Sequence, residues 1–249
     1  MKNKILEVKN ISKKYNTLNG EVSAIHDISF DLFEEEFLTI IGTSGCGKST
    51  LLNILANLDK ESGGSIILNN NLKISYMLQD DALFPWLTVF DNAILGLKIT
   101  HNLTDENKEY VNDLLNKYGL KNFKNKYPKE LSGGMKKKVS LIRSLALKPD
   151  ILLLDEPFSS LDYISKLDVS NDVYNIIKNE KKSVIMITHD IGDAISLSDR
   201  VIVLSKRPSI VKSIYNIDLQ NKDTPINNRN DKKFSYYYDL LWGDLDKDI

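Results

Sequence analysis

Gly42-Thr43-Ser44-Gly45-Cys46-Gly47-Lys48-Ser49-Thr50 is the stretch whose reading decides the fold. The apolar run Phe37 to Ile41 precedes it and reads as a buried strand. The apolar-rich segment Leu51 to Leu58 follows it and reads as a helix. Gly42, four residues, then Gly47, Lys48 and Ser49 is the phosphate-loop spacing, in the strand–loop–helix setting that the loop requires. Glycines at 42, 45 and 47 let the backbone take positive φ and approach a ligand without Cβ clashes. Successive N–H groups then form an anion nest, and the helix N-terminus adds its positive dipole end. Lys48 supplies a point charge for the β- and γ-phosphates, and the Ser49 hydroxyl is a ligand for Mg²⁺.

The rest of the composition narrows the class. A chain of 249 residues has room for one large or two small domains. With 42% hydrophobic and 27% charged residues it has the make-up of a globular protein. A net charge of −1 gives no bulk attraction to nucleic acid. The one cysteine, Cys46, excludes an intramolecular disulfide and fits a reducing compartment. Its place inside the phosphate loop points to local packing. Met1 to Asn10 is too poor in apolar residues for a signal-peptide core, so none is expected. No apolar run approaches the roughly 20 residues that span a bilayer. Work at a membrane would therefore require docking to another protein.

Along the chain, Lys4 to Asn10 and Ile25 to Phe33 alternate as half-buried strands, the second with Ile28, Phe30 and Leu32 on one face. Asn19-Gly20 between them is a turn signal. The pair predicts a small antiparallel layer. Tyr15 falls in the polar stretch between them; it is either an exposed loop aromatic or a stacking face for a base. Ser65 to Leu68 and Lys73 to Leu78 read as short strands around Asn69-Asn70-Asn71, and Gln79 ends the second. Ala82 to Phe90 is apolar and aromatic, broken by Pro85. Helical spacing runs over Thr88 to Ile99 and Thr104 to Tyr118, the latter capped by Thr104 and ended by Gly119.

Leu131-Ser132-Gly133-Gly134-Met135 opens a further helix, with Ser132 as its N-cap and Val139, Ile142, Leu145 and Ala146 on its apolar face. Two glycines there expose a second partly positive helix end without side-chain bulk. An ordinary helix start fits this segment equally well. Lys136, Lys137 and Lys138 read as a solvated face. Ile151 to Leu154 is a strand covered on both faces, and it ends in Asp155 and Glu156. Carboxylates at such a strand end sit at the crevice where open α/β sheets bind ligands. Asp155 suits Mg²⁺ and Glu156 suits a water to be polarised. A turn, Ser159 to Asp162, leads to a helix over Tyr163 to Lys178. Ser183 to Thr188 is a strand ending at His189, which has the same placement as Asp155 and is expected to face the ligand. A helix over Ile191 to Leu197, a strand over Arg200 to Leu204 and a hairpin strand within Val211 to Leu219 follow. Asn221 to Lys233 reads as loose, and Phe234 to Leu245 as a small docking helix.

These motifs in this order resemble the ATP-binding-cassette (ABC) transporter ATPases, over roughly Ile5 to Leu219. Gly42 to Ser49 looks like Walker A, Gln79 like the Q-loop glutamine, and Leu131 to Met135 like the signature. Asp155 and Glu156 look like Walker B with its catalytic glutamate. Ser159 to Asp162 looks like the D-loop, His189 like the switch histidine, and Tyr15 like the adenine-stacking aromatic. Phe84-Pro85-Trp86-Leu87-Thr88-Val89, Met135 and the segment Ser198 to Pro208 are similar to the nitrate/sulfonate/taurine importer ATPases. Thiamine-precursor importers share much of this pattern. Two departures stand out. Gly63 to Tyr76 is shorter than the subfamily pattern, and Lys136-Lys137-Lys138 replaces the usual Arg-Gln-Arg, keeping charge but losing guanidinium geometry.

The resemblance implies an α/β phosphate-loop NTPase of ABC type: a mostly parallel core sheet, an antiparallel β layer and a helical signature subdomain over about 84–147. The ABC domain would span 1–220, with a tail over 221–249 and no regulatory domain of the maltose type. ATP and Mg²⁺ are the implied cofactors. Glu156 and His189 would be catalytic. Tyr15, Gly42, Thr43, Ser44, Gly45, Cys46, Gly47, Lys48, Ser49, Thr50, Gln79, Ser132, Gly133, Gly134 and Asp162 would bind ATP, and Ser49, Gln79 and Asp155 would hold the metal. The implied partners are a second, head-to-tail copy, a membrane permease contacted through Ala82 to Phe90, and indirectly a solute-binding protein, with no nucleic acid. The implied place is the cytoplasmic face of the membrane. An ABC ATPase of DNA repair or translation would carry coiled-coil insertions or paired cassettes. A GTPase would carry Asn-Lys-x-Asp. Neither feature is in the sequence.

Overall fold

The computed structural model describes residues 2–18, 20–69, 71–220 and 222–246. The predicted turn and loop signals at Asn19, Asn70 and Asn221 lie outside the described residues. Two sheets are present among the described residues. One has three strands, β1 (Lys4–Thr17), β2 (Gly20–Phe33) and β4 (Gly63–Leu68), in the order β2-β1-β4 and antiparallel throughout. The other has six. It contains β3 (Phe37–Ile41), β5 (Ile74–Met77), β6 (Ile151–Asp155), β7 (Ser183–Thr188), β8 (Arg200–Leu204) and β9 (Val211–Asn216), in the order β5-β6-β7-β3-β8-β9. All its pairings are parallel except β8 with β9, a closing hairpin.

The two strands flanking Asn69 to Asn71 do not pair with each other. β4 joins the antiparallel layer through β1, and β5 joins the parallel sheet beside β6. Tyr15 is not in a loop. It lies on β1, whose pairing with β2 continues through Tyr15↔Val22 to Thr17↔Gly20, with several register shifts on the way. Those bulges break the period-2 alternation from which a strand is read.

The central strands are apolar on both faces because both are covered. Leu152, Leu154, Val184 and Met186 face one cluster, closed by α5 (Gly133–Leu145) and α6 (Tyr163–Asn179). Ile151, Leu153, Ile185, Ile187, Leu38 and Ile40 face another, closed by α1 (Lys48–Leu55) and the antiparallel layer. Every element from α2 (Val89–Ala93) through α3 (Leu95–Ile99) and α4 (Asp105–Lys117) to α5 is helical. Thr88 and Thr104 cap α2 and α4 by accepting from the Asp91 and Asn107 backbone N–H groups.

The segment after Leu219 is more ordered than its polarity suggests. Pro225 to Asn228 forms α8, and Asn228 is fully buried, donating to the Ser196 carbonyl at 2.7 Å. A buried amide with its partners satisfied folds a polar stretch that hydropathy alone leaves loose. The terminal helix α9 (Phe234–Asp246) lays Tyr237 and Leu241 on Ile195, Val201 and Val203. Among the described residues no helix is long and apolar enough to cross a membrane.

The packing of α9 makes a checkable statement. Leu241→Ala removes a fully buried side chain and should cost about 2–5 kcal/mol, read as a lower urea midpoint with an unchanged slope. A loss below about 0.5 kcal/mol would mean that α9 does not pack there in solution.

Candidate nucleotide site

Strand order converts distant sequence into one crevice. β5, β6, β7 and β3 are neighbours and run the same way, so Gln79, Glu156, His189 and the loop after Ile41 leave the sheet at the same edge. They line a cleft of about 560 Å³, together with Ser44, Gly45, Gly47, Lys48, Ser49 and Thr50. Gly47, at φ 114°, precedes α1 in the left-handed region, and a Cβ there would come within 3.1 Å of the Ala24 carbonyl oxygen. A side chain at this point would strain the backbone and crowd β2 together. Cys46 is buried in the apolar cluster below the loop, which fits its reading as a packing residue.

Lys48 is 7% exposed, and its ammonium donates to the Gly42 and Thr43 carbonyls at 2.8 and 3.1 Å. Its charge is thereby held over the loop. Asp155 is also 7% exposed. Its Oδ2 accepts from the Tyr76 hydroxyl at 2.9 Å, while its Oδ1 is buried and has no hydrogen-bond partner. Burial pushes the Asp155 carboxyl above the usual range, against the Tyr76 and Ser49 hydroxyls and the Lys48 charge, with Glu156 adding to the rise. A buried carboxylate oxygen without a hydrogen-bond partner is a costly arrangement that a cation would relieve. Burial and the same carboxylate push the Tyr76 hydroxyl well above its ordinary value, so it stays a donor.

Glu156 takes φ 42°, left-handed for an L residue, and its N–H donates to the Ile187 carbonyl at 3.0 Å. Such a backbone costs about 1–3 kcal/mol and is typical of sites where a side chain must be aimed. Its Oε2 lies 3.0 Å from His189 Nδ1. Glu156 is mostly covered and His189 mostly exposed, and both line the cleft.

The other expected binding residues lie elsewhere. Ser132, Gly133, Gly134 and Asp162 line a separate cleft of about 400 Å³ with Met135, Ser160 and Leu161. Ser132 caps α5 by accepting from the Met135 N–H at 3.3 Å. Gly134 has a packing reason as well, since a Cβ there would come within 2.5 Å of Val169 on α6. Tyr15 is on the rim of neither cleft. Its hydroxyl donates to Asp59 at 2.9 Å, and Lys13 sits over its ring at 4.8 Å.

A profile of the family described as ABC transporter matches residues 25–159. The chain belongs to the ABC transporter family. The ABC transporter ATP-binding protein YtlC of Bacillus subtilis (strain 168) is 40% identical over 247 residues, covering 96% of this cassette and 95% of YtlC. The nitrate transport protein NasD of Klebsiella oxytoca is 34% identical over 242 residues, covering 93% and 92%. The aliphatic sulfonates import ATP-binding protein SsuB of Bacillus cereus is 36% identical over 236 residues, covering 92% and 91%. A solved dimeric, post-hydrolysis state of the ATP-binding cassette MJ0796, bound to ADP and Pi, superposes with a TM-score of 0.72 at 30% identity. It covers 86% of this chain and 99% of that one. The cassette is an ATP-binding, ATP-hydrolysing protein with the ABC phosphate-loop fold.

Motif reading misses the residues that brace this cassette's site. Lys137 is 1% exposed, not part of a solvated face. Its ammonium donates to the Gln79 carbonyl at 2.7 Å and pairs with Asp81 at 3.1 Å. Arg143, two turns on, donates to the Asp81 and Ala82 carbonyls. Helix α5 thus grips the segment that carries Gln79. On the other side Lys166 bridges Asp190 and Asp193 at 2.6 and 2.8 Å, and Arg229 pairs with Asp193 at 2.7 Å. These ion pairs fix α7 (Ile191–Leu197), whose N-cap Asp190 directly follows His189. Their signal in sequence was a lysine or arginine at helical spacing, which solvated faces also show.

Lys137→Ala should strip the Gln79 carbonyl of its donor and Asp81 of its ion-pair partner. The expected cost is about 1–3 kcal/mol, read by denaturant unfolding. Lys136→Ala, on a half-exposed neighbour, should stay within about 0.5 kcal/mol. Equal costs for the two would contradict the burial of Lys137.

Proposed function

We propose that this chain is the ATPase subunit of an importer for a small anion of the nitrate or sulfonate kind, docked to a permease at the cytoplasmic face of the membrane. The ABC domain would occupy 1–220, its helical subdomain about 84–147, and the tail after 220 would pack on it through α9. The observation that carries the reading is the division of the nucleotide machinery between two clefts. One holds Lys48, Gln79, Glu156 and His189, and the other holds Ser132, Gly134 and Asp162. Each is half of a site, and head-to-tail pairing of two copies would complete two sites at once. The dimeric form of the MJ0796 cassette supports this, and the printed names of NasD and SsuB support import and the anion class.

Mechanistically, the loop N–H groups and Lys48 bind the β- and γ-phosphates. Ser49, Asp155 and Gln79 would hold Mg²⁺, and the unpartnered Oδ1 of Asp155 fits that task. When bound, Mg²⁺ would offset the charge on the transferring phosphoryl group. Glu156 accepts the proton of the attacking water, and His189, fixed to Glu156 at 3.0 Å, orients it and contacts the γ-phosphate. Tyr15 takes the adenine face once its ring turns from Lys13. The partner's Ser132–Gly134 helix end meets the same γ-phosphate, so ATP favours the closed dimer and hydrolysis releases it.

Phe84 and Trp86 form the permease contact. They touch each other at 5.1 Å between ring centroids, and Trp86 is 69% exposed. The loop behind them is rigid because Asn92, fully buried, bonds to the Phe84, Leu87 and Thr88 carbonyls. An exposed aromatic pair on a stiff loop suits a helix in a groove.

Glu156→Gln should hydrolyse ATP about 10²–10⁴-fold more slowly, or roughly 3–5 kcal/mol of barrier, and dimerise on Mg·ATP in size-exclusion chromatography. Near-normal turnover would reject Glu156 as the base. A strictly monomeric variant, even beside its permease, would reject the shared site. Phosphate transfer to an added metabolite would support a kinase instead. Trp86→Ala should leave stability within about 0.5 kcal/mol yet lose co-purification with the permease; retained co-purification would move the docking surface elsewhere.

A further inference from the structure

Tyr76 belongs to none of the nucleotide motifs, yet its hydroxyl donates to a buried carboxylate of the site. It lies on β5 opposite Leu153 of β6. Leu153 and Asp155 share a face of the sheet, because side chains alternate along a strand. The tyrosine ring therefore stands beside Asp155, and its hydroxyl reaches Oδ2 at 2.9 Å.

A carboxylate can rotate about its Cβ–Cγ bond and can bind a cation through either oxygen. In this site the two oxygens are not equivalent. Oδ2 is occupied by a neutral donor, and Oδ1 is buried with no hydrogen-bond partner. The Tyr76 bond removes the choice between them. We propose that Tyr76 is a positioning residue for the divalent cation, holding Asp155 so that Oδ1 alone is offered to the metal. The inference rests on the reading above that Asp155 and Ser49 hold Mg²⁺. The chain continues two residues past the end of β5 to Gln79, so one short segment both orients one holder and carries another. Groups that hydrogen-bond a metal-holding carboxylate usually change metal affinity about 10–100-fold when removed.

The competing account is that Tyr76 only ties β5 to β6. Tyr76→Phe separates the two, since it keeps the ring and its packing and deletes the hydroxyl. Mn²⁺ affinity would be measured by electron paramagnetic resonance with ADP present, and ATP affinity in EDTA by fluorescence. The expected result is about a tenfold weaker Mn²⁺ dissociation constant, with metal-free ATP affinity changed less than twofold. Unchanged Mn²⁺ affinity would overturn the role of Tyr76. An equal loss of Mn²⁺ and metal-free ATP binding, or a variant that fails to fold, would assign the residue to the strand pairing instead. Failure of the parent protein to bind Mn²⁺ with ADP would reject the metal reading of Asp155 itself. A tighter test pairs Tyr76→Phe with Asp155→Asn: if Tyr76 acts through Asp155, the double variant binds Mn²⁺ no more weakly than Asp155→Asn alone.

Discussion

Parallel pairing of β5, β6, β7 and β3 is the constraint on which the rest of the structure depends. A strand that joins this set is covered on both faces, so its sequence is mostly apolar, with Thr39, Ser75 and Tyr76 as polar exceptions inside β3 and β5. The charged and glycine-rich sequence comes where the strands end: Asp155 and Glu156 after four apolar residues, His189 after Thr188, and the glycine-rich loop after Ile41. Since the strands are neighbours with matched ends, as Asp155↔Ile187 and Ile41↔Thr188 pair, the polar residues meet at one level. The grouping of these polar residues around one cleft is a consequence of sheet register.

This also explains what the sequence made legible. Phe37 to Ile41, Ser183 to Thr188 and Arg200 to Leu204 appear as read, because short, largely apolar runs bounded by polar residues leave little choice, and Ile191 to Leu197 appears as the short helix expected there. The residues of the phosphate loop, Gln79, Glu156 and His189 could be placed for the same reason. Tyr15 could not, because β1 is bulged and its outer half is exposed, so neither alternation nor hydropathy marks it. Lys137 was misread because its burial is imposed from outside its helix, by the Gln79 carbonyl and Asp81 some sixty residues earlier. Asn228 is the same case. Its partners, the Ser196 and Asp223 carbonyls, and its burial belong to the tertiary fold, and a polar tract carries no periodicity that reports them.

Those misread residues are the ones that join the parts of the cassette. Helix α5 begins at the signature end, with Ser132 and Gly133 open to the second cleft, and one turn later it holds Gln79 through Lys137. A rigid helix cannot move one end without moving the other. A displacement of α5 would therefore be felt at the backbone of Gln79, in the first cleft of the same chain. The lysine suits this link better than an uncharged residue. A buried ammonium must keep its acceptors, because leaving it without them is costly. The contact with Gln79 and Asp81 thus persists through a rotation that a single neutral hydrogen bond would yield to. Arg143 adds two more bonds to the same segment, which ties residues 79–82 to α5 from two successive turns of the helix.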